Sequence, residues 1–343
     1  MSARGFRFAA IGINHDHIHG LMRCMTEAGG SCGGFHAPED DLAADFAARY
    51  PGVPRVLDRR RLLEAPDIRL VVSAAIPGDR AALGIAAMRA GKDVLVDKPG
   101  ALTLAELAQL RAVQAETGRF YTIFYSEHLE QRATVRAGEL VAAGAIGRVV
   151  NTVGLGPHRM RRATRPGWFF DRARGGAILA DIASHQCEQF LFFAGSDDAE
   201  VLSAHVANHA MPDLPDFQDT GDIHLRAGTV TGYIRVDWHT PEALPVWGDG
   251  RLTLLGTEGT IELRKYMDPA GRPGGDHLFL ENREGVRHID CGATALPFGP
   301  RYAADLHDRT ETAIAQRHVF RATELALTAQ ALADRAFLGG AAA

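Results

Sequence analysis

The stretch Lys92-Asp93-Val94-Leu95-Val96-Asp97-Lys98-Pro99 decides how the chain is read. Val94, Leu95 and Val96 form a near-continuous apolar run bounded by Gly91 and Pro99. Such a run marks a strand buried on both faces of a parallel sheet. Pro99 cannot donate to a ladder, so the strand should end before it. Asp97 and Lys98 then stand at the carboxyl end, where open α/β sheets bind ligands. An acid and a base placed there are costly to desolvate without a task.

Outward from this strand, the first half of the chain alternates. Phe6 to Ile13, Cys32 to Phe35, Leu70 to Ala75 and Phe120 to Phe124 read as further strands, with a fragment at Val56-Leu57. Helices are expected from His19 to Ala28, Asp41 to Tyr50, Arg60 to Ala65, Arg80 to Ala90 and Thr103 to Thr117. Asp40 or Asp41 can cap the second of these, and Thr103 with Glu106 makes a capping box for the last. Strands alternating with helices predict βαβ units and a doubly wound parallel sheet.

The second half changes pattern. A helix from Ala133 to Ala143 leads into a strand from Arg148 to Gly154 and a polar segment, Pro157 to Arg165. From Val201 onward short strands follow one another at hairpin spacing as far as Ile289, which predicts an antiparallel sheet with one covered face. Tyr302 to Ala336 reads as helical, about 50 Å long if unbroken.

The 343 residues suit two domains. A net charge of −5 argues against a nucleic-acid or anionic-membrane surface. Cys24, Cys32, Cys187 and Cys291 are scattered with no C-x-x-C pair. They read as reduced thiols of a cytoplasmic protein, neither a disulfide framework nor a zinc site. Met-Ser-Ala-Arg-Gly runs directly into a strand, without the pattern of a signal peptide. No apolar run approaches the ~20 residues of a membrane span. Gly339 to Ala343 should fray.

A dinucleotide-binding turn follows G-x-G-x-x-G. The turn after the first strand reads Gly12-Ile13-Asn14-His15-Asp16-His17, with glycine only at the first position. Asn14 tolerates left-handed geometry, and the following helix N-terminus can take a pyrophosphate. His36 and Ala37 stand where an acid would grip the ribose hydroxyls, so the choice between NAD and NADP stays open. Gly12, Ile13, Asn14, His15, His36, Ile76, Pro77, Asp97 and Lys98 are the candidate cofactor contacts. His15 and His17 also have the H-x-H spacing of a metal-dependent hydrolase. That reading requires a barrel, and the second half does not alternate as a barrel must.

Gly175-Gly176-Ala177-Ile178-Leu179-Ala180-Asp181-Ile182-Ala183-Ser184-His185 reads as a mostly small and apolar helix from near Gly175. Asp181 and His185 are four apart, hence on one face. The pair suits acid–base chemistry; a satisfied Asp–His bond in a domain interface is the structural alternative.

Gly91-Lys92-Asp93-Val94-Leu95-Val96-Asp97-Lys98-Pro99 and Gly175-Gly176…Asp181…His185, in that order, resemble the Gfo/Idh/MocA family of NAD(P)-dependent oxidoreductases. The aromatic lead-in Trp168-Phe169 is similar to family sequence too. The resemblance implies a Rossmann domain over residues 1–122 and an α+β domain with a large, mostly antiparallel sheet over 123–300. A helical segment, 301–338, would pack at the domain junction. It implies NAD or NADP as cofactor, homodimers or homotetramers through the sheet, and a meeting of Lys98, Asp181 and His185 at the nicotinamide. The expected reaction is hydride transfer with a secondary alcohol or ketone of a sugar, cyclitol or related polyol. His185 would be the base, Asp181 its orienter, and Lys98 the support of the alkoxide. His158, Arg159 and Trp168 are candidate substrate contacts. The glycine fingerprint is reduced to Gly12, and Arg80 and Ala81 lie where a histidine often follows the turn at Pro77. A non-catalytic dinucleotide sensor and transient hydride borrowing are the neighbouring readings.

Overall fold

Apolar runs hydrogen-bond into an open, five-stranded parallel sheet of β1 (Phe6–Ile11), β2 (Gly30–His36), β3 (Leu70–Ser73), β4 (Asp93–Asp97) and β5 (Tyr121–Phe124). This is a computed structural model, and it describes residues 5–340. Met1 to Arg4, the expected lead into the first strand, and Ala341 to Ala343 of the expected frayed tail lie outside the described residues. The order β2-β1-β3-β4-β5 reverses direction between β1 and β3, and ligands bind at such a switch point. Every residue of the central strands β3 and β4, and of β5 at the sheet edge, is buried, as expected of strands covered on both faces. Val94 pairs with Val71 on one side and Tyr121 on the other.

The helices of this unit are α1 (Ile18–Glu27), α2 (Asp40–Arg49), α3 (Arg59–Glu64), α4 (Pro77–Arg89) and α5 (Leu104–Thr117). α1 buries Ile18, Leu21, Met22 and Met25, the residues whose spacing predicts it. Thr103 and Glu106 form the capping box of α5. Two expectations need correction. α2 is capped by neither Asp40 nor Asp41: its N-cap residue is Glu39, whose side chain makes no capping bond. Val56-Leu57 is not a strand, because pairing there is reduced to one bridge between Phe35 and Arg55.

The second unit begins with α6 (Ser126–Leu129) and α7 (Arg132–Ala142), then β6 (Val149–Pro157). α8 (Arg172–Gly175), α9 (Ile178–Asp181) and α10 (Ala183–Ala194) follow. The strands β7 (Glu200–Ala207), β8 (Thr220–Ala227), β9 (Val230–Asp237), β10 (Arg251–Gly256), β11 (Gly259–Arg264), β12 (His277–Asn282) and β13 (Gly285–Asp290) complete an eight-stranded sheet. Its order is β13-β12-β11-β10-β6-β9-β8-β7, antiparallel except where β6 meets β9. β8 alternates buried with more exposed residues, so one face is covered. α10 packs on β6 and β9. A Cβ at Gly154 or Gly156 of β6 would come within 3.1 or 2.9 Å of Gln186, so these glycines make room for α10.

The segment from Gly175 is not one helix. Gly176, at φ +88°, separates α8 from α9, and the ladder is interrupted again at Ile182. Ile182 keeps right-handed helical angles, so the helical path continues from Asp181 to His185. The C-terminal helix is also divided, into α11 (Phe298–Asp308) and α12 (Gln316–Gly340). Arg309 is left-handed at φ +57°, and the Asp305 carboxylate accepts from Thr310, Thr312 and Ala313. A carboxylate satisfied by a loop in this way competes with helix continuation. By contacts the chain divides into residues up to 124 with 297–320, and 125–296 with those from 321 onward. Among the described residues no helix is long and apolar enough to cross a membrane.

Candidate active site

In the first unit the turn after β1 is shaped by Gly12. It has φ +74°, and a Cβ there would lie 2.5 Å from the Ala75 Cβ. Only glycine combines that angle with that approach. His15 N–H donates to the Ala74 carbonyl at 3.0 Å, tying the turn to the end of β3. α1 then starts with no side-chain cap and no acid in its first turn, leaving its positive end to an anion. The turn thus fits a dinucleotide pyrophosphate although one glycine remains of the fingerprint. Gly12→Ala should cost about 2 kcal/mol or more, from the left-handed angle and the clash. A thermal melt checks this.

β4 delivers Asp97 and Lys98, both buried, and the Lys98–Pro99 bond is cis. Arg80 of α4, 1 % exposed, organises this end. It donates to the carbonyls of Ala75 (2.7 Å), Asp97 (3.0 Å), Lys98 and Pro99 (3.2 Å), and to Asp97 Oδ2 at 3.0 Å. Asp97 Oδ1 lies 3.0 Å from His17 Nδ1. Burial alone would raise the Asp97 pKa, but His17, Arg80 and Lys98 hold it well below the usual carboxylate range. Burial and then the neighbouring His17 push His15 well below the ordinary imidazole value, with Lys98 and Arg80 adding to this against Asp97. His15 Nδ1 accepts the His17 backbone N–H at 3.2 Å. Ile76, the N-cap of α4, and Pro77, its first residue, are buried beside this end. His36 closes β2 and places Nδ1 2.9 Å from the Val56 carbonyl.

Donor atoms of His15, His17 and Asp97 lie within 4.8 Å of one another. The barrel required by the hydrolase reading is not the fold; the strands form an open doubly wound sheet. The guanidinium fixed on Asp97 also opposes a second cation there.

In the second unit, α9 ends on Asp181 and α10 carries His185, which is 2 % exposed. The Tyr125 ring stands edge-on to the His185 ring, centroids 6.1 Å apart. Asp181 lines a small pocket with Gly175, Gly176, Phe169, Phe217 and Trp238. Beneath His185 lies a buried polar network that sequence reasoning did not find. Lys265 donates to Glu127 (2.7 Å) and Gln189 (2.8 Å). Gln186 donates to Glu127 (3.0 Å), and Gln189 donates to the His185 carbonyl (3.1 Å). His128 Nδ1 is 2.8 Å from Glu188. The α10 members of this set were legible as unusually polar positions, Gln186, Glu188 and Gln189, in an apolar helix. Lys265 and Glu127 offered no such signal.

The candidate substrate contacts are separated in use. His158 packs against Trp247 and Trp238, ring centroids 4.5 and 5.4 Å away. Arg159 donates to the carbonyls of Pro241 (3.1 Å), Leu244 and Val246 (2.9 Å), which holds that loop. Trp168 is half-buried in a short 3₁₀ turn, its ring 6.4 Å from Phe169. In the polar segment Arg165 lies over Phe169 and Trp238, and Arg162 pairs with the exposed Asp213.

Comparison with known proteins finds relatives of both units. A family model described as "Oxidoreductase family, NAD-binding Rossmann fold" matches residues 17–125. One described as "GFO/IDH/MocA C-terminal domain" matches residues 134–262. A crystal structure from Erwinia carotovora atroseptica SCRI1043, of a protein named provisionally as an oxidoreductase, is 42% identical and superposes with a TM-score of 0.93. The match covers 96% of this chain and 98% of that one. The 1,5-anhydro-D-fructose reductase of Ensifer adhaerens is 26% identical over 91% of this chain and 87% of its own. A levoglucosan dehydrogenase in complex with NADH has the same fold, with TM-score 0.78 at 20% identity over 97% of both chains.

Proposed function

The chain belongs to the Gfo/Idh/MocA family of NAD(P)-dependent oxidoreductases, and from that premise we propose that it oxidises or reduces one carbinol position of a sugar, cyclitol or related polyol. The observation that carries this reading is the buried Asp97–Lys98 step at the carboxyl end of β4, locked by Arg80. Lys98 is buried, and an ammonium in a water-poor place favours an oxygen on which negative charge develops. Relatives named for 1,5-anhydro-D-fructose and levoglucosan point to anhydro-sugars and their kin as the substrate class.

Nicotinamide, when bound, accepts or gives the hydride. The chain's residues do the rest. His185 takes the hydroxyl proton on an imidazole nitrogen as the carbinol is oxidised, and returns it in the reverse direction. Lys98 holds the alkoxide oxygen through its ammonium. Asp181 orients His185 or a neighbouring hydroxyl. His158 and Trp168 are the aromatic groups proposed to contact the sugar, and Arg159 holds the Pro241 to Val246 loop that leads to Trp247, on which His158 packs. A panel of anhydro-sugars, aldoses and cyclitols, followed by nicotinamide absorbance with NAD and with NADP, tests the proposal. Cofactor turnover with at least one of them is expected. Cofactor binding without turnover on any member overturns the enzyme reading in favour of a sensor.

A further inference from the structure

We infer that Glu39 supplies the ribose-gripping carboxylate that the end of β2 lacks, and that the chain therefore selects NAD over NADP. The inference rests on the dinucleotide site of the proposed function and adds its cofactor specificity.

Strand β2 ends at His36, and neither His36 nor Ala37 carries an acid. Glu39 follows three residues later, as the N-cap residue of α2. A carboxylate there ordinarily serves the helix by accepting from its first backbone N–H groups. Glu39 does not, for no side-chain capping bond is formed. Its carboxylate points instead to the β1–α1 turn, where Asn14 Nδ2 donates to Oε1 at 3.0 Å. Asn14 occupies the second glycine position of the fingerprint. The residue that departs from the motif thus positions the acid that departs from the motif. Glu39 Oε2 is shielded from water and has no hydrogen-bond partner. A buried carboxylate oxygen without a donor is unfavourable. A hydroxyl donor from a bound ribose would satisfy it, and the broad terminal torsion of glutamate lets either oxygen turn toward it.

The surroundings favour a hydroxyl over a phosphate. A 2′-phosphate needs a cation, and an Arg near the end of the second strand is its common partner. Arg55, paired to the end of β2 through Phe35, is committed elsewhere. It donates to the carbonyls of Ala37 (3.0 Å) and Pro38 (3.4 Å) and pairs with Asp40 at 2.8 Å. His36 Nδ1 is engaged by the Val56 carbonyl. The Glu39 carboxylate beside them disfavours a doubly charged phosphate and can accept from a 2′-hydroxyl.

Calorimetric titration of the full chain with NAD⁺ and with NADP⁺ separately tests this without reference to turnover. NAD⁺ should bind about 100-fold more tightly. Glu39→Gln keeps the acceptor for Asn14 and removes the charge. It should weaken NAD⁺ by about 10-fold and bring the two cofactors within about 5-fold, with an unchanged melting temperature. Equal or tighter NADP⁺ binding by the unaltered chain overturns the inference, whatever the variant does. So does a selectivity that Glu39→Gln leaves intact. Binding of neither nucleotide would overturn the dinucleotide site itself, an outcome separate from the other two.

Discussion

Replacing His185 by alanine is expected to lower turnover about 100-fold or more while leaving NAD⁺ affinity within about two-fold. The split follows from where the residue lies. The turn at Gly12, the N-terminus of α1, Glu39 and Asp97 all belong to the first unit, so the groups that would hold the dinucleotide are untouched. His185 belongs to the second unit, buried on α10 with Tyr125 edge-on to its ring. Its assigned task is a proton, so the loss should fall on kcat and kcat/KM together, as for a group needed in the transition state. The pH profile adds a readout that simple misfolding would not produce. A general base gives kcat/KM an acid limb, and His185→Ala should lose that limb. His185→Gln keeps the bulk of the side chain but cannot take the proton, and should be as slow as alanine. Turnover retained by either variant would remove the base assignment.

Much of the fold was legible because it rests on continuous apolar runs. Val94 to Val96 and Leu70 to Val72 could only be central strands, and strand–helix alternation does the rest. The alternation of β8 and its neighbours gave the covered sheet equally well. Long-range polar commitments were not legible. Arg80 sits in a stretch of small residues that reads as an ordinary helix, and no local pattern shows that its guanidinium clamps four carbonyls and Asp97. Asp305 looked like one more helical acid, yet it stops a helix by capturing the loop after it. His36 and Ala37, not an acid, stand at the end of β2, and only the fold brings Glu39 back to Asn14. Spacing within an element is local information; which polar groups meet across elements is not.

The second large effect is on stability. Lys265→Met is expected to cost about 3–5 kcal/mol, because it leaves Glu127 as a buried charge without its main partner. Both side chains are essentially inaccessible, at 0% and 2% side-chain exposure, and their atoms approach to 2.7 Å. Burial alone would raise the Glu127 pKa; the Lys265 ammonium, helped by His185 and His158, overrides it and brings the value down to about 2. The sign of the pH dependence follows. A carboxyl depressed in the folded state stabilises it fully above its unfolded pKa, near 4.3. That contribution fades as the pH falls from there toward 2. In Lys265→Met the main depressing charge is gone, so the deficit should be greatest near neutral pH and shrink below about pH 4.3, where the unaltered protein progressively loses the stability that its depressed Glu127 carboxyl supplies. Denaturant unfolding at pH 7 and pH 3 measures this directly. The double variant Glu127→Gln/Lys265→Met should recover most of the loss, since it removes the charge that the single change strands. A deficit equal at both pH values, or no recovery in the double variant, would mean that packing and not the ion pair sets the cost. The network also reaches the His185 carbonyl through Gln189. The double variant should therefore regain stability before it regains turnover, because the lysine that holds Gln189 in place is still missing.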